Sequence, residues 1–158
     1  MRQEEIATFT RKIAASNPTE LICVLYEIYF TYEAEALQAL DDGDQSAYVQ
    51  AVRQSGQVIE HLKNALDFTY PVAGQLYALY DYAERQMARA MYRKDKEDIA
   101  NAGKVMGQLQ EAFAEVAKAD QSEPVMRNAQ QITAGMTYGR GDVNETMGSM
   151  DASRGYWA

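Results

Sequence analysis

Two residue types that carry much of protein chemistry are almost missing. The 158 residues hold one cysteine, Cys23, and one histidine, His61. A single cysteine excludes an internal disulfide and every multi-cysteine zinc site, and it fits a reducing compartment. A di-metal carboxylate centre in a helical bundle needs Glu-x-x-His pairs, and the residue three before His61 is Val58. His61 therefore reads as a surface or boundary residue. Cys23 reads as a buried structural thiol, with no cation near in sequence to activate it. Phosphate loops, nucleophile elbows and dinucleotide fingerprints are also missing, so the sequence predicts a protein that is not an enzyme and holds no metal or cofactor. Long apolar runs are lacking too. The longest, Leu21 to Tyr26, stops at Glu27 and is far short of a membrane span. The start, Met1-Arg2-Gln3-Glu4-Glu5, lacks the apolar centre of a signal peptide, which predicts a cytoplasmic protein without membrane insertion. Basic residues are the minority, 15 Lys and Arg against 23 Asp and Glu, for a net charge of −8. That balance argues against nucleic acid as a partner.

Proline is scarce, with 3 in the chain, and its positions are informative. Asn17-Pro18-Thr19-Glu20 combines a capping side chain, proline at the first helical position and a glutamate that can complete a capping box. A helix is predicted from Pro18 to about Leu40, ending at the polar turn Asp41-Asp42-Gly43-Asp44. Asp44 caps a second, roughly Gln45 to Leu66, with apolar residues at Tyr48, Val52, Ile59, Leu62 and Leu66. Pro71 is expected to open a third, capped by Thr69 or Tyr70 and reaching about Arg93. Its expected core face is Val72, Leu76, Leu79, Ala83, Met87 and Ala90. Asp95 caps a fourth, about Lys96 to Ala119, whose heptad seam alternates Ile99, Met106 and Phe113 with Ala102, Leu109 and Val116. Four long helices joined by short turns predict an all-α fold, an antiparallel up-down four-helix bundle over residues 17–120. Residues 1–16, with Ile6, Phe9 and Ile13 at helical spacing, form a short N-terminal segment lying across it. Residues 121–158 hold five of the ten glycines; there a short helix opened by Pro124, with Val125, Met126, Ala129, Ile132 and Met136 on one stripe, precedes a tail.

What is abundant is tyrosine. Nine of the eleven lie between Tyr26 and Tyr92. Tyrosine buries a large ring and keeps its hydroxyl satisfied, so it suits bundle edges and interfaces. In the first predicted helix, Leu21, Ile22, Val24, Leu25, Ile28, Tyr29, Phe30 and Tyr32 spread well beyond one face. That surplus predicts a groove able to accept a partner helix. Charge is segregated as well. No Lys or Arg occurs between Lys12 and Arg53, whereas that stretch holds Glu20, Glu27, Glu33, Glu35, Asp41, Asp42 and Asp44. The plain reading is a solvated acidic face.

Several segments in order resemble one family. Asn17-Pro18-Thr19-Glu20-Leu21-Ile22 followed by Leu25-Tyr26-Glu27 is similar to the start of the flagellin export chaperones, FliS. So are Ile59-Glu60-His61-Leu62-Lys63-Asn64-Ala65-Leu66-Asp67-Phe68, the run Leu79-Tyr80-Asp81-Tyr82 with Arg85 one turn on, and the stretch Leu109 to Val116. The resemblance covers about Asn17 to Asp120. It implies a cytoplasmic helical bundle that binds the disordered C-terminal segment of flagellin in hydrophobic grooves, prevents premature polymerisation and aids delivery to the flagellar export gate. Leu25, Tyr26, Tyr29, Leu62, Leu66, Leu76, Tyr77 and Tyr80 are the candidate contact residues. The chain departs from the family at Ile28-Tyr29-Phe30-Thr31, where smaller residues and then a basic one are usual. An alternative is a non-enzymatic, self-associating interaction bundle that buries the same apolar surplus in a homodimer. The stripe from Val125 to Met136 is also a candidate to dock on the bundle.

Overall fold

The computed structural model of the chain describes residues 1–126. Within them it contains five helices and no strand: α1 Gln3–Ala15, α2 Pro18–Asp42, α3 Gln45–Asn64, α4 Ala73–Arg93 and α5 Lys96–Ala119. The caps are those expected at three of the starts. Asn17 accepts from the Glu20 amide at 2.8 Å while the Glu20 carboxylate accepts from the Asn17 amide at 2.9 Å, a reciprocal capping box. Asp44 accepts from the Ala47 amide at 3.0 Å, and Asp95 from the Glu97 amide at 2.9 Å. Gly43 ends α2 at φ 72°, a left-handed position where glycine carries no Cβ penalty.

The third predicted start is displaced. Asp67 accepts from both the amide and the hydroxyl of Thr69, at 2.9 and 2.7 Å, closing a turn of its own. A second turn follows, with the Ala73 amide donating to the Tyr70 carbonyl. The helix therefore begins at Ala73, behind Val72, and neither Thr69 nor Tyr70 caps it. Of the helix expected from Pro124, residues Pro124 to Met126 are not helical, and the rest lies outside the described residues.

Helices α2 to α5 make a closed ring of neighbours: α2 packs on α3 and α5, and α4 packs on α3 and α5. The connections of α2 to α3 and of α4 to α5 are two residues each. Along α4 and α5, Gln86 meets Asn101 while Arg89 faces Asp98, so these helices run in opposite directions. The core holds Ile59, Met87, Ile99 and Met106, packed with the rings of Tyr26, Tyr29, Tyr48 and Tyr80. Small residues lie between them, among them Ala36, Ala83, Ala90 and Ala102. Tyrosine crosses the diagonal of the ring, where no backbones meet. The hydroxyls of Tyr26 and Tyr80 are 2.6 Å apart, and Tyr29 reaches the Met87 sulfur at 3.8 Å.

Helix α1 packs on α2 alone and has no buried residue of its own. It explains part of the apolar surplus on α2, which is flanked by α1, α3 and α5. The acidic face is locally compensated. Glu27 pairs with Lys12, Glu35 with the Met1 ammonium at 2.5 Å and Asp41 with Lys96. Glu20 and Asp44 are caps, Asp42 accepts from Gln38, and Glu33 accepts from Tyr29. All seven carboxylates thus have local partners, while Glu20, Asp41, Asp42 and Asp44 stay exposed and Glu27, Glu33 and Glu35 are half-buried, so the face is largely solvated as expected. The segment that follows α5 closes back on the start of α2. The Thr19 hydroxyl donates to Asp120 at 2.6 Å, the Asn17 amide group to the Asp120 carbonyl at 3.3 Å, and the Val125 amide to the Ser16 carbonyl at 3.0 Å.

Candidate functional site

Helix α4 carries two lanes beside its buried centre line. Val72, Leu79 and Gln86 recur every seven residues and so share one lane. Gln86 accepts from Asn101 of α5, which fixes that lane along the α4–α5 seam. Val72 and Leu79 are nevertheless 52% and 40% exposed, and Tyr82 beside them 39%. On α5, Val116 lies five full turns beyond Asp98, which faces Arg89 of α4, and it is 55% exposed. Because the helices are antiparallel, the start of α4 is level with the end of α5. An open apolar strip therefore lies along this half of the seam. The expected core placement of Val72, Leu79 and Val116 is corrected: α4's centre line is Ala73, Tyr80, Ala83, Met87 and Ala90. Leu79 sits one lane aside because Tyr80 takes the centre.

The other lane follows the α3–α4 seam. Lys63 of α3 pairs with Glu84, stands 4.0 Å from Asp81, and lies 5.6 Å from the centre of the Tyr77 ring. The hydrogen bond to Glu84 holds the Lys63 ammonium above its ordinary range. Phe68 packs on Tyr77 with ring centres 5.9 Å apart, and both are exposed.

The eight residues singled out from the sequence divide evenly. Tyr26, Tyr29, Leu62 and Tyr80 are buried core. Leu25, Leu66 and Leu76 are half-buried against that core, and Tyr77 is exposed. The buried tyrosines are held inside because their hydroxyls find partners there. Desolvation first, then the neighbouring phenol or carboxyl, pushes the ionisation of Tyr26 and Tyr29 far above the usual phenol range. Val72, Leu79, Tyr82 and Val116 were not among the eight. The helical spacing of Val72, Leu79 and Val116 was visible, but periodicity does not say whether a lane is central or lateral.

Among the described residues, Cys23 and His61 lie on different helices, α2 and α3. Cys23 is half-buried rather than buried, and its thiol is raised by burial, then by Glu27 and Glu20, which makes it a poor nucleophile. His61 is exposed. Among the described residues no group of three His, Cys, Asp or Glu side chains could hold a metal ion. No described helix is long and apolar enough to cross a membrane. Burial raises the Glu33 carboxyl to about 7, against the lowering effect of the Tyr29 hydroxyl. It sits against Gly103 of α5, where a Cβ would overlap the carboxylate. This is a packing site between α2 and α5, not a pocket.

The described residues thus form an all-helical ring with exposed apolar side chains at the start of α4 and the end of α5. The family model described as flagellar protein FliS matches residues 2–120, and the chain belongs to that family of flagellar export chaperones. The match takes in α1 as well as the ring. A comparison with curated proteins returns no match.

Proposed function

We propose that this chain is a cytoplasmic chaperone that holds the C-terminal segment of flagellin in apolar grooves, keeps it from polymerising early, and hands it to the flagellar export gate. In this reading residues 17–120 are an antiparallel up-down four-helix bundle that serves as a stiff platform. The observation that supports the mode of binding is the α4–α5 strip, where Val72, Leu79 and Val116 stand open to solvent beside a packed core. Leu25, Leu66, Leu76 and Tyr77 extend the accessible apolar surface, and Tyr26, Tyr29, Leu62 and Tyr80 brace it from beneath. A disordered segment that folds on binding gives up about 2–5 kcal/mol to ordering. Full burial of one Leu, Val or Phe side chain contributes about 1.5–3 kcal/mol, so a few such anchors offset that cost.

Titration calorimetry with the C-terminal peptide of the same organism's flagellin tests the proposal. The expected result is binding in the micromolar range with a negative heat-capacity change, the mark of apolar burial. Absence of binding at tens of micromolar removes flagellin as the client. Leu79→Asp is expected to weaken binding about tenfold or more, since it places an unpaired charge in an apolar contact.

A further inference from the structure

We propose that the outward face of α4 is a docking surface for an acidic protein segment that also carries aromatic side chains. Tyr82, Arg85, Arg89 and Tyr92 follow one another at steps of three, four and three residues, so they share one face of the helix. That face is opposite the buried line of Tyr80, Ala83, Met87 and Ala90. All four are exposed, Tyr92 to 84%. The charge is local to this end of the molecule. Residues 85–96 hold Arg85, Arg89, Arg93, Lys94 and Lys96 against Asp95, a balance of +4 in a chain of −8, so the rest carries −12. The helix dipole favours cations in the last turn, which accounts for Arg93 but not for Arg85 and Arg89 before it.

Arg89 and Arg93 have donors to spare. Arg89 Nη2 lies 3.8 Å from Asp98 Oδ1, Arg93 Nε 3.8 Å from Asp98 Oδ2, and Arg93 Nη2 3.6 Å from Asp95 Oδ2. These are ion-pair contacts, too long for hydrogen bonds. Asp98 is buried, and its Oδ2 has no hydrogen-bond partner among the described residues. From the first turn of α5, Asp98 thus orients both guanidinium groups by charge alone. Their N–H donors stay available to a carboxylate arriving from solvent, which arginine can grip with two parallel bonds. Arg85 is already paired with Asp81 at 2.7 Å and contributes charge rather than free donors. Charge complementarity selects the partner. The −12 carried by the rest of the chain repels a long polyanion such as nucleic acid, whereas a short acidic segment meets only the stripe. Tyrosine and arginine are also the residues that dominate the energy of protein–protein contacts. Aromatic side chains on the partner give the tyrosine rings and guanidinium planes a surface to stack on. The inference goes beyond the client reading, whose anchors are apolar, and its test uses no flagellin.

Fluorescence anisotropy of a labelled copolymer of glutamate and tyrosine, titrated with the full chain, tests it. Binding is expected at low salt and should fade as ionic strength rises. Arg89→Gln/Arg93→Gln is expected to weaken it about tenfold and Tyr92→Ala about threefold, while Arg53→Gln on α3 leaves it within about twofold. Tyr92 makes so little contact with the fold that its variant tests the surface even if the arginine variant is unstable. Equal affinity of the unaltered chain and either variant overturns the proposal, as does an absence of binding to the copolymer. Tighter binding of a labelled oligothymidylate assigns the stripe to nucleic acid and overturns it equally.

Discussion

The hydroxyls of Tyr26 and Tyr80 meet at the centre of the ring, away from water, and each is the other's hydrogen-bond partner. Removing one leaves the other buried and unsatisfied, which costs about 1–3 kcal/mol, whereas removing both leaves two apolar rings of nearly the same shape. Tyr26→Phe and Tyr80→Phe are therefore expected to destabilise singly by about 1–2 kcal/mol and to be coupled by about 1 kcal/mol when combined. Urea denaturation of the four proteins of that cycle measures the coupling, and strict additivity would contradict it. Glu33 makes a second prediction at this scale. Its carboxyl is raised to about 7 in the folded chain by burial against α5. The unfolded chain gives up this proton near its ordinary value of about 4.3. Between those values the unfolded state loses the proton first, so stability falls as pH rises towards 7 and levels off above it. With allowance for solvent screening of a partly exposed group, the loss is about 1–2 kcal/mol between pH 5 and 8. Glu33→Gln should flatten that part of the profile, as denaturation midpoints at the two pH values will show.

At the scale of the element, the turns carry the legible information. Asn17, Asp44 and Asp95 were readable as caps because the side chain that satisfies the first amides is local, and Gly43 because positive φ favours glycine. The start of α4 was not, because Asp67 serves an amide two residues on and closes a separate turn before the helix. The exposed lane of α4, Val72 and Leu79, was read as core for a related reason. Helical periodicity finds an apolar stripe, but Tyr80 is central only because a hydroxyl from the opposite helix meets it. That partner is 54 residues away in sequence. Likewise the apolar breadth of α2 was visible, while its cause, a third neighbour in α1, was a matter of packing. Lys94 is an element-scale anomaly that invites a test. It ends α4 in the left-handed region at φ 54°. Lys94→Gly is expected to stabilise the protein by about 0.5–1 kcal/mol through relief of that geometry. Loss of its contact with Gln45, an exposed pair, should subtract little. A rise in the thermal midpoint checks this.

For the whole molecule, the separation of core from strip predicts that binding and stability can be altered independently. Leu79 is 40% exposed and packs outside the buried centre line, so Leu79→Asp should leave the thermal midpoint within a few degrees while it weakens the flagellin peptide. A large fall in the midpoint would instead make Leu79 part of the core. The clasp of Asn17 and Thr19 on Asp120 has a further consequence, in the order of events at the ribosome. Helix α2 is made early, but its neighbour α5 and the clasp arrive about 100 residues later. At about 5–20 residues per second, one flank of α2 waits about 5–20 s for its partner. During that interval the nascent chain presents Tyr26, Tyr29 and Phe30 to its surroundings, shielded only by what has already been synthesised. A chain of this family thus passes through its own period of exposure, in which α1 and then α3, the other neighbours of α2, are the elements already made.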